Sequence, residues 1–338
     1  MTTNESAAGE ADWRRATDLI GAAGTLALAC HVSPDGDALG SMLGLGLALA
    51  ATGRRVVASF GDRVFAVPRL LRFLPGQHLL VEPSAYPAEP DLMITFDAST
   101  MERLGLLAPH AGKAGELVVI DHHVSNTRFG TVHLVDPGAA STTMVVEELV
   151  NRLGLPIDRE VATCLYAGLV TDTGSFRHSI TTPAAHAMAG RLLATGLRPE
   201  EIARDLWDRS PFAYLRVLGT ALGRATLEPD AVGGLGLVWT YVSRADRAAE
   251  GLPYEEVEGM IDVVRRVDEA EVAVVLKEDD EGGWNVSTRS KGAVDVARAC
   301  AALGGGGHMR AAGFSSALSV GDTMAALRPL LAPEGSRS

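Results

Sequence analysis

The sequence predicts an α/β protein: an N-terminal domain built on a parallel sheet with helices on both faces, a helical connector, and a smaller α/β domain after it. Three observations carry this. Short apolar runs of β-branched character alternate with helical patterns through the first half; acids and imidazoles stand directly after three of those runs; and beyond residue 222 the strand pattern and the residue types change together.

Taking the elements in order, residues 1–12 (MTTNESAAGEAD) and the last few (PEGSRS) are small, polar and without periodicity, and are expected to fray. Residues 25–30, 55–60, 92–96 and 117–120 read as buried strands with helices between them, the order of a parallel sheet whose ligands gather beyond the carboxyl ends. After Asp136-Pro137, residues 141–153 have a plausible N-cap and helical spacing, and a second helix covers 159–169 before Thr171-Asp172-Thr173-Gly174. From 182 to about 222 the pattern is helical, interrupted at Gly196 and Ser210-Pro211. Residues 235–242, 271–278 and 284–289 then read as strands, 294–303 as a helix, and 311–315 as a strand following Gly304-Gly305-Gly306-Gly307-His308. The expected boundaries are a tail at 1–12, a first domain at 13–190, a helical linker at 191–222 and a second domain at 223–334.

Composition narrows the function. With 338 residues and 47% apolar side chains the chain can bury two cores. The start lacks the basic-then-apolar order of a secretory signal, and the longest apolar run, 38–51, is too short to cross a bilayer, so a cytoplasmic protein with no membrane contact is expected. Three cysteines, Cys30, Cys164 and Cys300, are far apart and form no CxxC, which argues against disulfide or zinc-knuckle frameworks. A net charge of −12 speaks against coating long nucleic acid. It leaves short phosphorylated substrates open, because bound cations restore positive charge where a phosphate must sit.

The chemistry concentrates at strand ends. TLALAC is followed by His31, LMITF by Asp97, and LVVI by Asp121, His122 and His123. A lone Asp after a strand is more often a cap or turn residue; three such ends converging on one edge point instead to a site. In His31-Val32-Ser33-Pro34-Asp35-Gly36-Asp37 an imidazole and two carboxylates are spaced by Pro and Gly, so one loop bends all three toward a point. Oxygen and imidazole donors suit Mn²⁺ first, then Mg²⁺, with Co²⁺ or Zn²⁺ able to take the same geometry. His31, Asp35, Asp37, Asp97, His122 and Asp172 exceed what one catalytic ion needs, so two divalent cations are expected with the strand-end Asp97 bridging. Two such ions about 4 Å apart can share a hydroxide and clamp the attacking and leaving oxygens of an in-line displacement at phosphorus. In the second half, four glycines let backbone N–H groups approach an anion, with Arg289 and Arg310 supplying charge-assisted hydrogen bonds. Arg103 either steadies the site or lies on a helix surface, Arg265-Arg266 reads as a solvated helix face, and His178 is a minor candidate for substrate contact.

These motifs resemble the DHH phosphoesterase superfamily, over most of the chain. HVSPDGDALGS, FDAST, IDHHVSNTRFG, LVDPGAAST and GLVTDTGSF look like its successive motifs, and STRSKGAVDVARACAALGGGGHMRAAGF resembles the DHHA1 domain. The resemblance is to small bifunctional members, oligoribonucleases that are also 3′-phosphoadenosine-5′-phosphate phosphatases, a group that includes cyclic-di-AMP phosphodiesterases. It implies that His31 and Asp35 hold one ion, Asp37, His122 and Asp172 the other, and Asp97 both. It further implies that Asp121 orients His122, that His123 contacts the scissile phosphate and helps protonate the leaving oxygen, and that Arg289, Ser290, Gly305, Gly306, Gly307, His308 and Arg310 hold the substrate. The chain departs from the family pattern at Met309-Arg310, where a Lys and a small polar residue are usual. A homodimer acting on short RNA or adenine (di)nucleotides is what the resemblance implies.

The expected activity is therefore hydrolysis of short oligoribonucleotides, linear or cyclic diadenylate, or 3′-phosphoadenosine 5′-phosphate to nucleoside monophosphates. A manganese pyrophosphatase shares the N-terminal motif logic but would carry a basic Ser-Arg-Lys-Lys type signature absent from this chain, and a long-strand exonuclease would ordinarily be larger and more basic. A regulator that binds cyclic dinucleotides without turnover is the alternative of a different class.

Overall fold

Strands that are buried on both faces read as unbroken apolar runs, and β1 (Thr25–Cys30), β3 (Leu92–Phe96) and β4 (Glu116–Asp121) are of this kind, each with its last five residues buried. In the computed structural model, which describes residues 8–332, they form the centre of a five-stranded parallel sheet of order β2-β1-β3-β4-β5. The edges are β2 (Arg55–Phe60) and β5 (Val132–Val135). β5 is absent from the sequence expectation, because four residues broken by His133 carry too little pattern to distinguish a strand from a loop.

The two faces are covered unequally. One carries α1 (Glu10–Ala22), α2 (Gly36–Ala50), α4 (Thr142–Arg152), α5 (Arg159–Asp172), α6 (Pro183–Leu193) and α7 (Pro199–Trp207), all contributing to one core with Leu26, Leu28, Ile94, Val118 and Ile120. The other carries Ala27, Ala29, Met93, Leu117 and Val119 beneath a 3₁₀ segment, Met101–Leu107, and the single turn α3 (Ala108–Ala111).

Helix α2 packs tightly on α5 through glycines four residues apart. A Cβ at Gly40 would lie 2.4 Å from the Cys164 carbonyl oxygen, and one at Gly36 would lie 2.4 Å from Thr171 Oγ1. Since the Cys164 oxygen belongs to a helix backbone, it yields only by moving the helix. Gly40→Ala is therefore expected to destabilise the protein by about 1–3 kcal/mol despite the helix propensity it gains, read as a lower urea midpoint at unchanged slope.

The chain divides between Arg209 and Ser210. Helices of the 191–222 stretch fall on both sides of that point: Ile202 and Leu206 of α7 join the first core, while Val217 and Ala221 of α8 (Phe212–Gly223) join a core of the second unit. That unit holds a six-stranded sheet of order β10-β11-β9-β8-β7-β6. Its strands are β6 (Thr226–Glu228), β7 (Leu237–Val242), β8 (Val272–Glu278), β9 (Trp284–Ser290), β10 (Gly306–His308) and β11 (Ala311–Ser316), antiparallel except for β7 with β8. One face packs Val272, Val274, Leu276 and Phe314 with α9 (Ala231–Gly234), α12 (Val296–Ala301) and α13 (Val320–Leu327); the other packs Ala273 and Val275 with α8 and α11 (Ile261–Val264). α10 (Arg244–Ala249) follows β7 and is closed by a Ser243–Asp246 capping box. Among the described residues no helix is long and apolar enough to cross a membrane.

Candidate active site

The carboxyl edge of the first sheet gathers the polar residues that follow its strands. His31 leaves β1 and is almost wholly buried. Asp35 caps α2, its Oδ1 accepting from the N–H groups of Asp37 and Ala38, both at 3.0 Å, and its side chain stays 57% exposed. Asp37, in the first turn of α2, is fully buried. Asp97 directly follows β3 with a left-handed backbone, φ 57°, a conformation that aspartate tolerates better than most residues; its N–H is held by the Ile120 carbonyl at 3.0 Å. Asp121 ends β4, and Asp172 ends α5.

These side chains meet in three overlapping trios, His31 with Asp35 and Asp97, Asp37 with His122 and Asp172, and Asp97 with His122 and His123. His31 Nε2 lies 3.4 Å from Asp97 Oδ2 and 3.9 Å from Asp35 Oδ1. His122 Nε2 lies 3.1 Å from Asp172 Oδ2, 3.7 Å from Asp97 Oδ1 and 3.9 Å from Asp37 Oδ2. Asp97 thus presents Oδ2 to His31 and Oδ1 to His122, and Oδ1 also lies 3.5 Å from His123 Nδ1. His31, Asp35 and Asp97 bring ligand atoms within 4.8 Å of one another, as do Asp37, His122 and Asp172. The far nitrogens face carbonyls, His31 Nδ1 at 2.8 Å from Val32 O and His122 Nδ1 at 3.2 Å from Ala139 O. A proton on each Nδ1 leaves the Nε2 lone pairs turned toward the carboxylates.

Such an arrangement needs positive charge. Burial, then the charges of Asp97 and Asp35, pushes the Asp37 carboxyl well above the carboxylate range, against the N–H bonds it accepts; burial and then Asp37, Asp97 and Asp35 do the same to Asp172. Burial also acts to raise Asp97, but its contact with His31 and the charges of the three histidines hold it below the usual range. Nitrogen and oxygen donors converging on one point, with carboxylates that repel one another, are what a divalent cation of the Mg²⁺ or Mn²⁺ type satisfies. The acidic and imidazole clusters can hold metal.

Asp121 corrects one expectation: it orients His123, not His122. Its Oδ1 accepts from the N–H of His122 at 2.8 Å, the N–H of His123 at 3.2 Å and His123 Nδ1 at 2.7 Å. The chain turns back over the carboxylate as it leaves β4, which brings the second imidazole onto it and leaves the first facing Ala139. Burial lowers the proton affinity of His123, but the bond to Asp121 and the charges of Asp97 and Asp121 outweigh it and lift the pKa to about 9. Asn126, which sequence reasoning passed over, donates to Asp121 Oδ2 at 2.6 Å and to the Ala98 carbonyl at 3.2 Å.

The start of α4 falls where the sequence places it, but its contacts with the acids were missed. Its N-cap Ser141 makes no side-chain cap bond and pairs with Thr143 Oγ1 instead. The open N–H groups of Thr142 and Thr143 are taken by Asp37, at 2.6 and 3.0 Å, and the Thr142 hydroxyl donates to Asp97 Oδ1 at 2.9 Å. A helix start capped by a carboxylate from another helix satisfies its orphan donors but leaves no local sequence signal. Arg103 places Nη2 3.2 Å from His31 Nδ1; burial and this charge oppose protonation of the ring, but the contact with Asp97 and the charges of Asp35 and Asp97 outweigh them and raise its proton affinity. His178 lies over Gly174, its Nδ1 3.1 Å from the Asp172 carbonyl oxygen.

In the second unit, the register places His308 opposite Ala311 and Ala311 opposite Arg289, so both basic side chains emerge on one face of the sheet. Arg289 is largely buried, bonds the Thr288 carbonyl at 3.0 Å, and makes no ion pair among the described residues. Burial draws its proton affinity down. Ser290 and Gly305 depart from the substrate-binding expectation. The Ser290 side chain is on the opposite face, donating to Glu271 Oε1 at 2.7 Å. Gly304 has φ 82° and donates to Ala301, while the Gly305 N–H is held by the Cys300 carbonyl at 2.9 Å. Those two glycines form a Schellman C-cap of α12, not an anion cradle. Gly306 and Gly307 are in β10, and the Arg310 guanidinium lies against Gly292.

Residues 25–169 match the DHH family, N-terminal domain, and residues 238–328 match the DHHA1 domain. The chain is 36% identical over 290 residues to the bifunctional oligoribonuclease and PAP phosphatase NrnA of Thermus thermophilus, covering 86% of this chain and 83% of that protein. A protein of the same description from Bacillus subtilis is 26% identical over 294 residues, covering 86% and 89%. The fold is shared with an exopolyphosphatase-related protein from Bacteroides fragilis, at a TM-score of 0.88 and 24% identity over 98% of this chain and 97% of that one. With both domains matched and a relative this similar over most of its length, the chain belongs to the DHH family of phosphoesterases.

Proposed function

We propose that this enzyme hydrolyses phosphoesters in short oligoribonucleotides and in 3′-phosphoadenosine 5′-phosphate, releasing nucleoside monophosphates, with two divalent cations, Mn²⁺ by preference. The observation that carries the reading is Asp97, whose two oxygens face separate histidine-carboxylate trios at 3.4 and 3.7 Å. His31 and Asp35 would hold one ion, Asp37, His122 and Asp172 the other, and Asp97 both. Bound there, the ions supply Lewis-acid stabilisation of phosphoryl charge and activation of the attacking water.

The chain's own groups do the rest. Asp121 fixes His123 by its Nδ1, so Nε2 is the nitrogen that would face a phosphate, donating a hydrogen bond to phosphate oxygen and a proton to the departing ribose oxygen. Arg289, largely buried and making no direct ion pair among the described residues, is suited to a phosphate group of the substrate, with His308 on the same sheet face. The substrate class follows the similarity to the Thermus protein, whose description names both activities. Cyclic and linear diadenylate are the further substrates to compare.

The test is a parallel turnover assay, with Mn²⁺, of a diribonucleotide, linear diadenylate, cyclic-di-AMP and 3′-phosphoadenosine 5′-phosphate. Release of mononucleotide from the first and last, abolished by EDTA and restored by Mn²⁺, is the expected result. Hydrolysis of inorganic pyrophosphate alone, or tight binding of cyclic dinucleotide with no product, would overturn it.

A further inference from the structure

We infer that Thr142 is a positioning residue that sets the plane of the Asp97 carboxylate, and so assigns each of its oxygens to a different ion; this rests on the two-cation reading above. Thr142 is fully buried at the first position of α4. Its two donors reach two acids from different elements, the hydroxyl going to Asp97 Oδ1 at 2.9 Å and the N–H to Asp37 Oδ2 at 2.6 Å. Those same two oxygens flank His122 Nε2, at 3.7 and 3.9 Å. One residue therefore ties together both carboxylate atoms on one side of the centre, while Asp97 Oδ2 is left facing His31.

The hydroxyl matters because rotation about the last bond of an aspartate side chain is broad and weakly restrained. With Oδ1 anchored, the carboxylate plane is set so that the two oxygens diverge toward separate trios. Without the anchor, Asp97 can turn both oxygens toward one cation, and the other site loses a ligand. The N–H of Thr142 is backbone and survives any substitution, so it continues to cap against Asp37. The effect of the hydroxyl is thus separable from that of the helix start. Valine keeps the shape and the β-branch and removes only the O–H; serine keeps the O–H and removes the methyl.

The experiment uses the full chain as wild type, Thr142→Val, Thr142→Ser and Thr142→Ala. Mn²⁺ is titrated in and the free ion followed by its EPR signal, alongside kcat and KM on whichever substrate the wild type turns over. Wild type is expected to take up two ions. Thr142→Val should weaken one of the two binding steps by about 10–100-fold, with a comparable fall in kcat at limiting Mn²⁺ and an unchanged KM, the range seen when groups that support a metal ligand are removed. Thr142→Ser should behave as wild type, and Thr142→Ala should repeat the valine result if valine compromises folding. Two ions bound by Thr142→Val with wild-type affinity, or a serine variant as impaired as the valine one, would overturn the assignment to Thr142. Fewer than two ions in the wild type would instead bring down the two-cation reading, and this inference with it.

Discussion

Asp97→Asn is expected to lower kcat by at least about 10³-fold with Mn²⁺ present, while the stability of the metal-free protein changes little. Both halves follow from the same geometry. Asp97 sits between His31 and His122 with one oxygen toward each, so the amide replaces an anionic oxygen at the point that the two proposed cation sites would share. Metal ions at a phosphoryl centre are worth several kcal/mol of transition-state stabilisation, and each 1.36 kcal/mol is tenfold in rate. Against that, in the metal-free protein Asp97 adds to the charge that pushes Asp37 and Asp172 out of the ordinary carboxylate range, while its contact with His31 and the histidine charges hold its own carboxyl low, so the repulsion and the attraction lost with it offset. Asparagine removes both and accepts the left-handed backbone at residue 97 as readily. Steady-state assays and thermal melts in EDTA measure the two effects. Asp35→Asn gives the contrast: its carboxylate is more than half exposed, so water can replace a lost ligand, and a smaller loss is expected. Equal losses at both positions would mean that Asp97 does not bridge.

The part of this site that was legible in the sequence is the part set by chain order. His31, Asp97 and Asp121 directly follow apolar runs long enough to be buried strands, and a parallel sheet brings all such ends to one edge. What was not legible depends on contacts between distant elements. Nothing around residue 142 shows that its N–H will be capped by Asp37, because the two meet only when α4 packs beside α2. The direction of Asp121 was misread for a related reason. A triplet leaving a strand does not say how sharply the chain turns, and the turn brings His123 onto the carboxylate in place of His122. In the second unit the glycine run suggested an anion cradle, yet Gly304 and Gly305 terminate α12. The expected helix ends at 303, directly before Gly304, but the glycine run was assigned to an anion and not to the C-cap that a glycine in that place ordinarily makes. Ser290 follows Arg289 in the chain, and alternation along β9 alone turns it to the opposite face.

Arg289→Met is expected to raise KM about 10–100-fold for substrates that carry a terminal phosphate, with kcat little changed. A largely buried guanidinium with no direct ion pair among the described residues is unfavourable in the empty protein, since burial outweighs the bond to the Thr288 carbonyl and the more distant charges of Asp262 and Glu258. Its retention there is understandable if an anion completes it, and hydrogen bonds to a charged partner contribute about 1.5–3 kcal/mol each. At 1.4 kcal/mol per tenfold, one such bond gives the stated range. Methionine fills a similar volume without charge, so the variant should be at least as stable as wild type in the absence of substrate, and a melt measures this directly. The discriminating measurement is kcat/KM for a 5′-phosphorylated dinucleotide and for the same dinucleotide without that phosphate. Wild type should favour the first, and Arg289→Met should lose the preference by falling on that substrate alone. His308→Ala tests the same face from two strands away and should move in the same direction. A fall of equal size on both dinucleotides would mean that Arg289 supports the sheet and does not read a phosphate.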